Sequence, residues 1–241
     1  MIREIIFKFF FYTGVITIFI VFIPALILPK KIILIGGKIL GYWIKFCLNF
    51  FLSVKVEVKG MENIPKNSNF FIASLHQSLF ETFFLQAIFD YPVFILKKEL
   101  LKIPLFGWHL KKIGSISIDR DKINRENLGF YDKIASVTTK TKRPVIIFPQ
   151  ATRTDINDRQ PFKKGVSKIY EKLNFICLPV ALNSGNVWPK SGKLNSNRTI
   201  TISILEHMPI GLNTDDFLSK LEYKLYSELE KIRYPFIGII T

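Results

Sequence analysis

Cysteine and histidine are scarce in this sequence, which contains only two cysteines and three histidines. Cys47 and Cys177 lie inside apolar runs, a context typical of buried free thiols. Two such cysteines do not make a disulfide framework, and no cysteine–histidine spacing indicates a metal site. We therefore expect a protein of a reducing compartment that binds no metal.

Acidic side chains are also in short supply. There are 19 of them against 34 basic ones, which gives a formal net charge of +15. A charge of this sign indicates an anionic partner, either nucleic acid or a membrane surface. Hydrophobic residues make up 49% of the chain, and no nucleic-acid-binding module is recognisable. We expect an anionic membrane as a partner and no nucleic acid.

The amino-terminal part of the chain is strongly apolar. Residues 9–29 carry no charge and are long enough to cross about 30 Å of hydrocarbon. Pro24 lies inside this run, where it would kink a helix. A second apolar stretch, residues 32–54, follows almost at once. Two membrane spans and a helical hairpin that enters one leaflet both fit, and we favour the hairpin.

Beyond residue 54, short apolar runs alternate with helical stretches. Val54, Val56 and Val58 alternate with charged residues, as in a half-buried strand. Further strands are predicted at residues 70–75, 92–96, 115–119, 145–148, 176–181 and 199–205, and helices at residues 79–89, 123–138, 163–173 and 215–232. This alternation predicts an α/β fold with a mixed, largely parallel sheet flanked by helices. We expect a membrane-embedded helical segment at residues 1–52 and an α/β domain at residues 53–241.

His76 is the first candidate catalytic residue. It follows a predicted strand, and α/β enzymes place their sites at such strand ends. Glu81 can reach His76 only if His76 precedes the next helix and Glu81 lies in its first turn. The carboxylate would then hold the imidazole in one tautomer and support it as a general base. Ser78 and Glu81 also form a capping-box pattern, so Glu81 could instead serve only the helix start.

Two more polar clusters follow predicted strands. The first ends in Asp119 and Arg120, a pattern that a surface ion pair would also produce. The second reads Phe-Pro-Gln-Ala-Thr-Arg over residues 148–153 and comes directly after a buried strand. Arg153 in this cluster suits planar recognition of a phosphate or carboxylate, although a solvated loop arginine has the same local pattern.

Together these clusters resemble the 1-acyl-glycerol-3-phosphate acyltransferase family, over about residues 54–205. The segment from His76 to Glu81 is similar to the family's H-x-x-x-x-D motif, with glutamate in the place of aspartate. The run Ile118-Asp119-Arg120 is similar to its second motif, which ends in I-D-R. Residues 148–153 are similar to its third motif, F-P-E-G-T-R.

The resemblance implies transfer of a fatty-acyl group from an acyl thioester to the free hydroxyl of 1-acyl-glycerol-3-phosphate, which yields phosphatidic acid for phospholipid synthesis. The implied catalytic residues are His76 and Glu81, and the implied substrate-binding residues are Arg120, Gln150, Thr152 and Arg153. No cofactor is implied, because acyl-CoA or acyl carrier protein is the acyl-donor substrate. Acyl carrier protein is thereby a candidate partner. The implied location is the cytoplasmic face of a bacterial inner membrane.

Departures from the family pattern keep two alternatives open. Glu81 is one methylene longer than aspartate, Gln150 lacks the charge of glutamate, and Ala151 replaces a glycine, so a positive φ there would be costly. One alternative is an acyltransferase of the same superfamily that uses another lyso-lipid acceptor. The other is a membrane-anchored lipid-binding protein without activity, because both acidic motif residues are replaced.

Overall fold

The centre of the molecule is a β-sheet. The structure is a computed structural model, and it describes residues 2–66, 68–118 and 129–233. Its strands are β1 Lys55–Lys59, β2 Phe70–Ser74, β3 Val93–Lys97, β4 Ile116–Ile118, β5 Val145–Ile147, β6 Ile176–Leu182 and β7 Thr199–Ile204. They lie in the order β1-β7-β6-β2-β5-β3-β4. In this described sheet every pairing is parallel except β6–β7, so the predicted mixed, largely parallel α/β fold is confirmed.

Helices cover this sheet and precede it. The described helices are α1 Ile2–Val21, α2 Lys30–Leu52, α3 Phe80–Ile88, α4 Phe106–Ile113, α5 Phe130–Thr141, α6 Gly165–Leu173 and α7 Thr214–Arg233. The sequence pattern does not predict α4, because eight residues are too few to show a helical period. Residues 119–128, which include the start of the helix predicted at 123–138, lie outside the described residues.

The first two helices form an antiparallel hairpin. Pro24 does not kink a longer helix: α1 ends at Val21, and a short 3-10 turn begins at the proline. The two helices approach closely, because a Cβ added at Gly14 would lie 2.2 Å from the Trp43 indole. The indole Nε1 donates a hydrogen bond to the Phe11 carbonyl at 3.3 Å. The hairpin is thus a packed unit rather than two separate helices.

Much of the surface of this hairpin is apolar. Both helices are long and apolar enough to cross a membrane, and only 11% of the apolar window of α1 is buried, against 44% for α2. Phe9, Ile27 and Phe50 are 63%, 89% and 68% exposed. The opposite side of α1 packs into the protein core through Phe7 and Phe11. These helices are consistent with membrane association and are fixed to the sheet by core contacts.

Three strand ends bring the candidate residues together. β2 lies between β5 and β6 and pairs with both in parallel. The carboxyl ends of neighbouring parallel strands meet at the same edge of a sheet. His76 follows β2, residues 148–153 follow β5, and Ser184 follows β6. These three segments therefore converge on one site.

Candidate active site

His76 and Glu81 are in direct contact. α3 begins at Phe80, so His76 precedes the helix and Glu81 lies in its first turn. Glu81 Oε1 lies 2.8 Å from His76 Nδ1. Because a carboxylate accepts hydrogen bonds, Nδ1 carries the proton in this contact, and Nε2 is the nitrogen left for a substrate. The geometry that the sequence predicted for these two side chains is confirmed.

Glu81 also stabilises the start of α3. Its Oε1 accepts hydrogen bonds from the backbone N–H groups of Gln77 and Ser78, both at 2.7 Å. Ser78 Oγ in turn accepts from the Phe80 N–H at 3.2 Å. These bonds resemble a capping box, except that Ser78 Oγ accepts from the Phe80 N–H rather than from the Glu81 N–H. Glu81 can therefore both cap the helix and contact His76, because the cap fixes the carboxylate where it meets the histidine.

The segment after β6 completes the surroundings of Glu81. The hydroxyl of Ser184 donates to Glu81 Oε2 at 2.8 Å. The Gly185 N–H donates to Gln77 Oε1 at 3.0 Å. Sequence reasoning missed both contacts, because Ser184 and Glu81 lie 103 residues apart and no local pattern joins them.

Gln150 lies behind His76 and is almost fully buried, with 1% exposed. Its Oε1 accepts from the His76 N–H at 2.7 Å, and its Nε2 donates to Thr154 Oγ1 at 2.8 Å. Nε2 also lies 3.5 Å from the hydroxyl of Tyr226, whose pKa is raised by burial. The assignment of Gln150 to substrate binding stays a prediction, because these bonds show only where the side chain lies. In the structure its side chain fixes the backbone of the histidine.

Ala151 adopts the backbone conformation that the family's glycine would favour. Its φ is +62°, in the left-handed region, and its N–H donates to the Phe148 carbonyl at 2.9 Å. This turn positions the Phe148 ring against the His76 imidazole, with ring centroids 4.1 Å apart and planes 17° from parallel. The stacked Phe148 ring helps to fix the plane of the imidazole, in addition to the contact that Glu81 makes with Nδ1.

A cavity of about 440 Å³ opens beside His76. Most of its lining is apolar and comes from α1, α2, β3 and α4. Thr152 and Arg153, both predicted to bind substrate, line it, whereas Arg120 lies outside the described residues. Two cations that sequence reasoning missed, Lys97 and Lys190, also line the cavity. No acidic side chain belongs to the described lining, so an anionic substrate would meet attraction there.

Neither cysteine has the character of a nucleophile. Cys47 and Cys177 are both buried, free thiols, as the sequence predicts. Burial raises the pKa of the Cys177 thiol well above its usual range, so the reactive thiolate is disfavoured. Across residues 2–66, 68–118 and 129–233, no group of three or more histidine, cysteine or acidic side chains is arranged to hold a metal ion.

The fold and the site define an α/β protein with a histidine–carboxylate pair at the strand ends of its sheet. The model of the family described as Acyltransferase matches residues 55–183, which includes β1 and β6 and the site between them. The chain belongs to this acyltransferase family.

Individual relatives agree with this assignment. The chain is 35% identical over 167 residues to a 1-acyl-sn-glycerol-3-phosphate acyltransferase of Pseudomonas aeruginosa, a match that covers 67% of this chain and 63% of that protein. It is 29% identical over 215 residues to the Saccharomyces cerevisiae protein of the same name, with 83% and 70% covered. The match thus spans less than two thirds of the length of the Pseudomonas relative.

A solved structure shares the fold across nearly the whole chain. The crystal structure of the 1-acyl-sn-glycerophosphate (LPA) acyltransferase, PlsC, from Thermotoga maritima superposes with a TM-score of 0.79. The match covers 98% of both chains at 23% sequence identity. At this identity the likeness concerns the fold, and it includes the amino-terminal hairpin as well as the sheet.

Proposed function

We propose that this protein transfers a fatty-acyl group from an acyl thioester to the free hydroxyl of 1-acyl-glycerol-3-phosphate, which yields phosphatidic acid for phospholipid synthesis. The observation that carries the proposal is the 2.8 Å contact between His76 Nδ1 and the buried Glu81, beside an apolar cavity with cationic side chains. A base next to apolar space and positive charge suits an acceptor that is both lipid and phosphate.

In the proposed reaction, Nε2 of His76 takes the proton of the acceptor hydroxyl while the oxygen attacks the thioester carbonyl carbon. The new C–O bond forms, the C–S bond breaks, and the thiol leaves with the proton returned by the imidazolium. The charge of Glu81 stabilises the imidazolium between these two steps. Because transfer is direct, no serine or cysteine nucleophile is needed.

Arg153 is the proposed main ligand of the acceptor's phosphate. Its guanidinium can bind phosphate oxygens in a bidentate way, and Thr152 and Lys190 line the same cavity. Arg120 keeps its proposed role in substrate binding on the strength of its motif alone. Gln150 supports the reaction from behind the histidine, through its bond to the His76 N–H.

The reaction is proposed to take place at the cytoplasmic face of a bacterial inner membrane. Residues 1–52 would form the membrane-associating segment and residues 53–241 the catalytic domain. The exposed apolar side of α1 and the net charge of +15 support an anionic bilayer as partner. The proposed donor is acyl-CoA or acyl carrier protein, and no cofactor is proposed.

The test is an assay of purified protein with radiolabelled acyl-CoA or acyl carrier protein thioester and a panel of lyso-lipid acceptors. We expect phosphatidic acid from 1-acyl-glycerol-3-phosphate. His76→Ala should reduce turnover by about 10²- to 10⁴-fold, whereas the exposed His207→Ala serves as a matched control. Product from a lyso-aminolipid alone would reassign the acceptor. A folded protein that acylates no acceptor would instead support a non-catalytic lipid-binding protein.

A further inference from the structure

The two oxygens of the Glu81 carboxylate have separate partners. Oε1 is bonded to His76 and to two backbone N–H groups, whereas Oε2 accepts the Ser184 hydroxyl at 2.8 Å. Both Glu81 and Ser184 are completely buried. The serine reaches the carboxylate from the short 3-10 turn that follows β6, and it contacts the oxygen that does not contact the histidine.

A bond to the second oxygen has a specific physical effect. Hydrogen bonds to Oε1 alone leave the carboxylate able to rotate about that oxygen. A donor on Oε2 fixes the plane of the group, and with it the direction in which Oε1 presents its lone pairs to His76. A glutamate needs such a second donor more than an aspartate would, because its extra methylene adds a rotatable bond. A hydrogen bond to a charged group corresponds to about 10- to 150-fold in an equilibrium constant.

The loop that carries Ser184 is itself firmly held. Asn183 Oδ1 accepts from the Thr201 N–H, and its Nδ2 donates to the Ile232 carbonyl, both at 2.7 Å. Next to the serine, the Gly185 N–H donates to Gln77 Oε1. A Cβ added at Gly185 would lie 3.1 Å from that oxygen, so the loop packs tightly against Gln77. Ser184 therefore holds Glu81 from a rigid support.

We propose that Ser184 is a positioning residue for the acyl transfer, acting through Glu81 to keep the carboxylate oriented toward His76. It does not touch the reacting atoms. The inference rests on the proposed function and deepens it, by adding to the histidine–carboxylate pair a third member that comes from the turn after β6.

The first experiment compares Ser184→Ala with a matched buried serine. Ser203, 3% exposed in β7, is suitable, because within the described residues its hydroxyl has no hydrogen-bond partner. We expect Ser184→Ala to lower kcat by about tenfold or more and to leave both KM values within about twofold. Ser203→Ala should match the wild type, and Ser184→Thr, which keeps the hydroxyl, should restore kcat. Wild-type kcat in Ser184→Ala would overturn the proposal.

A double-mutant cycle separates positioning from a general effect on the fold. In a Glu81→Asp background the shorter side chain cannot hold His76 and Ser184 at once, so Ser184→Ala should then cost about twofold or less. Equal losses in both backgrounds would mean that the serine acts independently of the carboxylate and would overturn the proposal. Should Ser184→Ala fail to fold, Ser184→Cys, a much weaker donor, replaces it in the same cycle.

A measurement without turnover keeps this inference distinct from the proposed function. Nitrogen NMR of the His76 imidazole reports which ring nitrogen carries the proton. We expect Ser184→Ala to reduce the fraction with the proton on Nδ1, and an unchanged spectrum would overturn the positioning role even in an inactive protein. Absence of acyl transfer by the wild type, in contrast, would overturn the proposed function.

Discussion

The backbone N–H of His76 donates a hydrogen bond to Gln150 Oε1 at 2.7 Å. In a second bond His76 is the acceptor: the Thr154 N–H donates to the His76 carbonyl at 2.9 Å. The histidine is therefore held at both of its backbone polar groups by the segment that follows β5. The amide suits this position, because it accepts from His76 while it donates to Thr154. A carboxylate could only accept.

This arrangement predicts that Gln150→Leu damages both stability and turnover. The partly buried His76 N–H would lose its acceptor, which costs up to about 1–3 kcal/mol. In a chain of this size that lowers the thermal midpoint by roughly 2–4 °C per kcal/mol. We also expect a lower kcat, because the backbone of the base shifts. Calorimetry and kinetics would check this against Gln160→Leu, whose side chain is exposed. An unchanged midpoint and kcat would refute the positioning role.

Glu81→Asp should retain more activity than Glu81→Gln. Aspartate keeps the negative charge that stabilises the imidazolium, although it is about 1.5 Å shorter. Glutamine keeps the length and can still accept from Gln77 and Ser78, so the start of α3 should survive. Comparison of kcat with the circular dichroism of each variant would test this. An active Glu81→Gln beside an inactive Glu81→Asp would show that Glu81 only caps the helix.

Ala151→Gly should stabilise the protein slightly. A non-glycine residue in the left-handed region costs about 1–2 kcal/mol, and the greater freedom of glycine in the unfolded chain offsets about 0.4–1 kcal/mol of that. We expect the free energy of unfolding to rise by up to about 1 kcal/mol, measured by denaturant titration. Ala135→Gly, in the middle of α5, should lower it by about the same amount. A loss at both positions would contradict the argument from φ.

Arg153→Ala should chiefly raise the KM for the phosphate-bearing acceptor. The contact would exist in both ground and transition states, so binding should suffer more than kcat. Arg153→Lys should restore it poorly, because an ammonium lacks the bidentate geometry. Lys190→Ala should raise the same KM, while Lys193→Ala, exposed and outside the described cavity lining, is the control. A raised KM for the donor alone would move Arg153 to the thioester side.

The protein should remain on anionic vesicles after a wash in about 1 M salt, where exposed charges are screened within about 3 Å. Insertion of the hairpin, rather than its charge, should hold it there. Ile27→Asp, at the exposed connection of the hairpin, should weaken binding, because a charge in hydrocarbon costs about 2.5–3.5 kcal/mol. Tyr223→Asp, which is similarly exposed on α7, should not. Complete release by salt would mean that the hairpin does not insert.

The local sequence pattern was sufficient to predict features that lie within one continuous segment of the chain. The apolar stretches predicted both amino-terminal helices, and the alternation of runs predicted the α/β class. The contact between His76 and Glu81 was also predictable, because five residues across the start of a helix leave few ways for the side chains to meet. The left-handed backbone at Ala151 was not predicted, because the sequence analysis treated alanine there as a departure at which a positive φ would be costly.

Only the tertiary structure decided which distant segments share the site. Parallel strands have similar apolar patterns, so the sequence does not reveal that β2 lies between β5 and β6. That order brings Gln150 to the backbone of His76 across 74 residues and Ser184 to Glu81 across 103. It also shows that Gln150, a predicted substrate ligand, binds the backbone of the histidine. Hydrogen bonds depend on distance in space, and the sheet sets those distances.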